Sequence, residues 1–114
     1  MTSGAVFRES RRSTRVSVKV SIEVEAAERF TCEGETVVVN LHGALISTPR
    51  AFEIGTKITL HVHLTDKHSK ARIVYVDPAR PLQCGIELDQ PRNIWGVPLP
   101  PEDWDESEAL NARR

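Results

Sequence analysis

The sequence predicts an all-β domain, and three features carry that prediction. Apolar residues alternate with polar ones in long runs, valine and isoleucine together number 19, and turn-forming residues divide the chain at short intervals. A period of two places one side chain in the core and the next in water, as in a half-buried strand. Branched residues favour strands over helices. Because about six strands in 114 residues bury their edges most economically by closing on themselves, we expect a small β-barrel.

The longest alternating run covers residues 16–24, and a second run covers residues 58–64. Their apolar positions predict the core-facing residues Val16, Val18, Val20, Ile22, Val24, Ile58, Leu60, Val62 and Leu64. Shorter strands are predicted at 36–41, 44–47, 71–76 and 83–88, and turns at 33–35, 48–50, 55, 66–69 and 77–81. A short helix is expected over Pro101–Leu110, where two prolines precede an acidic first turn.

Length and composition favour one globular domain without a membrane segment. The chain has 114 residues, of which 39% are apolar and 27% charged. It contains no apolar stretch long enough to span a bilayer and no secretory signal, so we expect a cytoplasmic protein without membrane insertion. The net charge of −1 argues against broad attraction to nucleic acid or anionic lipid. We expect a flexible arm over 1–10, a barrel over 11–104 and an acidic tail over 105–114.

Three other groups of residues have simple structural interpretations. Cys32 and Cys84 lie in apolar surroundings without a CxxC pair, so we expect reduced thiols and no cofactor or metal. His61 and His63 share a strand face, which fits either an exposed surface or a metal site that lacks a third ligand nearby in sequence. Trp95 and Trp104 are expected to pack the tail onto the barrel. His68 is expected in a solvated loop.

A cluster of arginines precedes the first predicted strand, at Arg11, Arg12 and Arg15. The planar guanidinium group can bind two phosphate oxygens and can stack on a base. The cluster therefore predicts either a segment that closes over a phosphorylated ligand or a solvated basic arm.

A tight turn follows the third predicted strand in the segment Asn40-Leu41-His42-Gly43. Gly43 permits a positive φ or the close approach of a ligand, and Asn40 offers both a donor and an acceptor that suit a purine edge. The alternative is an ordinary β-turn in which asparagine and glycine serve the backbone.

Taken together, the two segments resemble the motifs of PilZ domains. The run from Arg11 to Arg15 fits the RxxxR pattern, and Asn40 to Gly43 is similar to a shortened [D/N]xSxxG pattern. The later segments 71–76, 84–88 and 93–104 follow in the family's order, and the resemblance covers about residues 8–104. It implies a six-stranded antiparallel barrel with a trailing helix and a binding module rather than an enzyme. The implied ligand is cyclic di-GMP, a bacterial second messenger.

The resemblance also implies roles for individual residues. Arg11 and Arg15 match the arginines that contact the phosphates and guanines, and Arg12 is placed to assist. Asn40 matches the residue that reads a guanine edge, and Gly43 matches the terminal glycine of the motif. His42 lies near the position of the missing serine.

The turn motif departs from the family pattern, and this leaves two functions open. Two residues separate Asn40 from Gly43, where the full motif has four, and the serine is absent. Loss of that hydroxyl removes a hydrogen bond worth about 0.5–1.5 kcal/mol. The protein is expected either to bind cyclic di-GMP and signal to a protein partner, or to act as a PilZ-like interaction domain that binds no nucleotide. No arrangement of catalytic residues stands out in the sequence.

Overall fold

A computed structural model describes residues 13–26 and 30–104, and all its regular elements are strands. There are seven: β1 Val16–Ser17, β2 Ser21–Ala26, β3 Thr31–Val39, β4 Gly43–Ser47, β5 Lys57–Val62, β6 Lys67–Asp77 and β7 Arg80–Leu88. Every strand pairing is antiparallel. The spatial order β3-β2-β5-β6-β7-β4 returns to β3 through the β3–β4 pairing, so six strands form a closed barrel. The predicted six-stranded antiparallel barrel is confirmed.

The first predicted strand is divided in two by a side chain of β3. β1 and β2 follow the same edge of β3, where Val16 faces Val39 and Ser21 faces Glu35. Between them, the Thr36 hydroxyl accepts a hydrogen bond from the Val20 main-chain nitrogen at 2.9 Å and donates to the Val18 oxygen at 2.6 Å. The hydroxyl thus replaces regular strand pairing where residues 18–20 leave the ladder.

The predicted turn at 33–35 is wrong, because these residues lie inside β3. Gly34 is required there by packing: a Cβ at this position would lie 2.6 Å from the main-chain oxygen of Ser47. In this strand, glycine therefore marks a close approach between two chain segments and not a turn.

The turn after β5 comes three residues earlier than predicted. Residues 63–66 form it, and Asp66 takes a positive φ of 57°. Leu64 consequently lies on the surface with 70% of its area exposed, contrary to the prediction that it faces the core. His68, predicted in a loop, lies in β6 opposite His61. Likewise, the turn predicted at 77–81 is shorter, because Arg80 and Pro81 already belong to β7.

The barrel interior is filled by the branched residues of the alternating strands. Ile22, Leu60 and Ile73 are fully buried, as the period-two pattern predicts. Trp95 and Trp104 are 1% and 6% exposed and belong to the same core cluster, which confirms that the C-terminal segment packs onto the barrel.

The expected C-terminal helix is not confirmed. Residues 101–104 form a β-turn in which the Trp104 nitrogen donates to the Pro101 oxygen at 3.0 Å, and residues 105–110 lie outside the described part of the chain. The proposed arm over 1–10 and tail over 105–114 also lie outside it, so these domain boundaries stay predictions. In residues 13–26 and 30–104, no helix is long and apolar enough to cross a membrane.

Candidate functional site

The Asn40 side chain organises the turn between β3 and β4. Its carboxamide oxygen accepts hydrogen bonds from the main-chain nitrogens of His42 and Gly43, each at 2.8 Å. The main-chain nitrogen of Asn40 in turn donates to the main-chain oxygen of Gly43 at 2.9 Å. Asparagine therefore serves the backbone, as the alternative interpretation held. A ligand in contact with this residue is left with the NH2 group of Asn40 as its hydrogen-bond donor.

Gly43 is needed for a close approach between strands. A Cβ at this position would collide with the main-chain oxygen of Ile86 on β7. The positive-φ glycines in the described residues are Gly55 and Gly96, so Gly43 does not serve here by a left-handed backbone. The close approach at Gly43 is therefore made by a neighbouring strand, whereas the sequence suggested the approach of a ligand.

Four hydrogen bonds hold the turn in place from outside. The Ser13 hydroxyl accepts from the Leu41 nitrogen at 3.0 Å, and Ser13 is only 1% exposed. The Trp95 indole nitrogen donates to the Asn40 oxygen at 2.9 Å. The main-chain nitrogen of Arg92 donates to the main-chain oxygen of Leu41 at 3.0 Å, and that of Leu88 donates to the main-chain oxygen of His42 at 2.8 Å. Such a turn presents a fixed surface to a ligand.

An open groove of about 740 Å³ brings the arginine motif and the turn together. Four predicted site residues line it: Arg15, Asn40, His42 and Gly43. Arg15 is exposed at this groove. The two further predicted residues, Arg11 and Arg12, lie outside the described part of the chain.

The floor of the groove is the outer face of four adjacent strands. Val38, Leu45, Gly85 and Tyr75 are successive partners across β3, β4, β7 and β6. Their neighbours Ile46 and Ile86 face the core, so alternation directs Leu45 and Gly85 outward. The floor is therefore largely apolar, and Arg15 contributes to the lining of the same groove.

Tyr75 is a groove residue that the sequence analysis missed. It is 50% exposed, and a Cβ on Gly85 would lie 3.1 Å from the Tyr75 Cβ and 3.6 Å from its Cδ2 atom. The ring thus lies over the bare backbone of Gly85. Ile73 is buried, so alternation directs Val74 outward, and the register shift in β6 between Ile73 and Tyr75 leaves Tyr75 exposed as well. The sequence offered one signal. The chain's single tyrosine follows Val74, an apolar residue at a position where the alternating pattern predicts a polar one.

Charge around the groove is compatible with an anionic ligand. Glu87, the one acidic residue that the described part of the chain contributes to the lining, forms an ion pair with Arg72 at 3.1 Å. Its negative charge is thereby partly compensated, which reduces its repulsion of a phosphate. Arg15 contributes the positive charge in the same lining.

The histidines form a surface cluster away from this groove. The rings of His61 and His63 lie 5.0 Å apart, and His68 stacks on His61 at 4.2 Å. The Nε2 atoms of His61 and His63 contact Asp66 and Glu33 at 2.8 and 3.0 Å. In the described residues, no group of three or more such side chains is arranged to hold a metal ion.

The two cysteines are free thiols, and both have raised pKa values. Burial raises the pKa of Cys84 to about 11, with a smaller contribution from Cys32. Burial also raises the pKa of Cys32, followed by the charge of Glu33. Both thiols are therefore held in the protonated, poorly nucleophilic form.

Comparison with known families decides the classification. The family model described as PilZ domain matches residues 8–94. The chain belongs to the PilZ domain family. PilZ domains in general are receptor domains for cyclic di-GMP and act as binding modules and not as enzymes.

A solved PilZ structure shares the fold. It is the crystal structure of the PilZ domain of CeSA from a cellulose synthesizing bacterium, with a TM-score of 0.55 and 16% identity. The match covers 90% of this chain and 100% of the other. At this identity the likeness establishes the barrel architecture alone. No protein with a curated description matches the chain.

Proposed function

We propose that this PilZ domain is a bacterial receptor module that binds cyclic di-GMP in the Arg15 groove and signals to a protein partner. The observation that carries the proposal is that Arg15 and the Asn40–Gly43 turn line one groove. The Ser13–Leu41 hydrogen bond ties the two segments together. A binding role in the cytoplasm, without catalysis, belongs to the same proposal.

Each groove residue has a role suited to a cyclic dinucleotide. The Arg15 guanidinium binds phosphate oxygens or stacks on a guanine, and Arg11 and Arg12 act with it. The Asn40 NH2 group donates to an acceptor on a guanine edge. Tyr75 supplies an exposed aromatic surface next to the apolar floor, on which a base can stack. His42 and Gly43 line the groove in the part of the turn where the family's motif carries a serine.

The anchoring of Ser13 lowers the entropic cost of binding. Fixing a backbone residue costs about 1–2 kcal/mol, so a long unanchored arm would consume much of the binding energy. Ser13 is already buried and bonded to the turn. Fixing Ser13 therefore adds nothing to the cost of binding.

The shortened turn reduces the number of hydrogen-bonding groups available to the ligand. The Asn40 oxygen is already engaged by two main-chain nitrogens, and the serine hydroxyl is missing. A lost hydrogen bond of ordinary strength weakens binding by about 0.5–1.5 kcal/mol. We therefore expect measurable binding that is weaker than a complete turn motif would give.

Calorimetric titration with cyclic di-GMP tests the proposal. Wild type should release or absorb heat with saturation at micromolar ligand, and Arg15→Ala and Arg11→Ala should each weaken binding by roughly tenfold or more. Arg80→Ala is the matched control, because Arg80 is exposed on β7 and does not line the groove. Absence of binding by wild type, or equal binding by all four proteins, would contradict the proposal.

A second candidate is an interaction domain without a nucleotide ligand. It is favoured by the engagement of the Asn40 oxygen within the turn and by the apolar groove floor, which suits protein contact. In affinity capture, this function predicts the same partners with and without cyclic di-GMP and no effect of Arg15→Ala. Partners that appear only with the nucleotide would exclude it.

A further inference from the structure

The β-turn at 101–104 forms hydrogen bonds with Thr14, which lies in sequence between the motif residues Arg11 and Arg15. The Asp103 carboxylate oxygen Oδ2 accepts two hydrogen bonds from Thr14, one from its main-chain nitrogen at 2.9 Å and one from its hydroxyl at 2.8 Å. The Trp104 indole nitrogen donates to the Thr14 oxygen at 2.7 Å. Thr14 thus has its main-chain donor, its main-chain acceptor and its side chain bound by two adjacent residues. We call these three bonds the Thr14 clasp.

The clasp is built from a buried anchor and an exposed carboxylate. Trp104 is 6% exposed and belongs to the barrel core, so its indole cannot follow a movement of Thr14. Asp103 is exposed, and its charge strengthens both bonds from Thr14. Core packing therefore fixes the position of the clasp, and the carboxylate adds to its strength.

We infer that Asp103 and Trp104 are positioning residues that hold Arg15 in the groove through Thr14; this inference rests on the proposed function. Arg15 follows Thr14 directly, so fixing both sides of the Thr14 peptide restricts the direction in which the Arg15 side chain leaves the backbone. The residue before Thr14 is fixed as well, because Ser13 bonds to Leu41. The C-terminal segment and the nucleotide groove are thereby coupled.

Coupling of this kind is reciprocal. If the intact clasp raises the affinity for nucleotide, bound nucleotide must stabilise the clasp by the same factor. Anything that pulls the Pro101–Trp104 turn away from Thr14 therefore weakens nucleotide binding. The C-terminal segment is then a place where a partner can sense whether the groove is occupied.

Measurements on the protein alone provide the first test of the clasp. Amide hydrogen exchange at Thr14 should be at least tenfold faster in Asp103→Ala than in wild type, because its acceptor is gone. The backbone heteronuclear NOE of Arg15 should fall in the same variant. Asp103→Asn retains an acceptor oxygen and should give an intermediate result. Glu102→Gln is the matched control, because it removes the neighbouring exposed charge and should leave both measurements unchanged.

Titration with cyclic di-GMP provides the second test. Asp103→Ala should weaken binding roughly 5- to 20-fold, Asp103→Asn less, and Glu102→Gln not at all, within the usual range of coupling between sites. Wild-type affinity in Asp103→Ala, or unchanged Thr14 exchange, would overturn the inference. If wild type itself binds no nucleotide, the proposed receptor function fails, while Thr14 exchange and the Arg15 NOE still decide whether the clasp holds Arg15.

Discussion

The Ser13 hydroxyl accepts a hydrogen bond from the main-chain nitrogen of Leu41 at 3.0 Å. This one contact joins the arginine motif to the Asn40 turn, although 28 positions separate the two residues in sequence. Its donor belongs to a fully buried residue. The bond is therefore a structural requirement of the site as well as a link between its halves.

Replacing Ser13 with alanine should destabilise the fold and loosen the groove. The Leu41 N–H would lose its acceptor in a buried position, which costs about 1–3 kcal/mol. Urea denaturation followed by tryptophan fluorescence measures the loss. Ser17→Ala, at an exposed position of β1, should change the free energy of unfolding by less than about 0.5 kcal/mol. Equal stability of the two variants would show that the Ser13 bond contributes nothing.

Gly43→Ala should be far more damaging than Gly55→Ala. The added Cβ at Gly43 would collide with the Ile86 backbone, so the paired strands β4 and β7 would have to separate at this position. At Gly55 nothing lies within 4 Å, and the cost is the strain of its φ of +94°, about 1–2 kcal/mol. Thermal unfolding by circular dichroism compares them. A Gly43→Ala protein as stable as Gly55→Ala would disprove the close-approach explanation.

Tyr75→Ala should weaken cyclic di-GMP binding, whereas Tyr75→Phe should not. Loss of stacking on one base costs about 1–3 kcal/mol, and phenylalanine keeps the ring that covers Gly85. Val74→Ala is the matched control, because Val74 is exposed in the same lining but has no aromatic ring. Calorimetry reads out all three. Equal affinities for wild type and Tyr75→Ala would show that Tyr75 does not contribute to nucleotide binding.

Stability should fall at alkaline pH through the Cys84 thiol. Burial raises the pKa of this thiol from 9.0 to about 11, so the folded protein binds the thiol proton more tightly than the unfolded chain does. The resulting stability is complete below pH 9 and is lost as the pH rises from about 9 to about 11. Chemical denaturation across that range measures the slope. Cys84→Ala, which retains Cys32, should show a shallower slope, and an unchanged slope would contradict the assignment.

The Asp66–His61 contact should weaken in acid. Its hydrogen bond, followed by the charge of His61, lowers the pKa of the Asp66 carboxyl below 3.8. A lowered pKa contributes stability above the unfolded value, and that stability is lost as the pH falls through the folded value. Carbon-detected NMR titration should show the lowered pKa in wild type and a value closer to 3.8 in His61→Gln. Identical titration curves would rule out His61 as the cause.

Period two predicted the barrel because it depends on one physical requirement, the burial of alternate side chains. Ile22, Val24 and Leu60 are buried as expected. The errors occur where a local contact decides: Gly34 resembles a turn residue but lies against Ser47, and Leu64 continues an apolar pattern after the strand has ended at Val62.

The site was predictable only in part, because local contacts also decide which of its groups are available to a ligand. The arginine motif and the turn identify a groove, and the structure places Arg15, Asn40, His42 and Gly43 in it. The engagement of the Asn40 oxygen depends on the backbone path of residues 42 and 43, which composition does not encode. Tyr75 reaches the groove through a register shift between β6 and β7, and such a shift has no simple sequence signature.

Closure of the barrel also limits how other molecules can attach to it. Within the described ranges 13–26 and 30–104, each of the six barrel strands has a neighbour on both sides, and the unpaired margin of the two-residue β1 is very short. An extended peptide therefore finds only short unpaired stretches of strand to which it could add as a further member of the sheet. Recognition of this domain relies chiefly on side chains, and substitutions on its outer faces can alter partner choice without disturbing the backbone ladder.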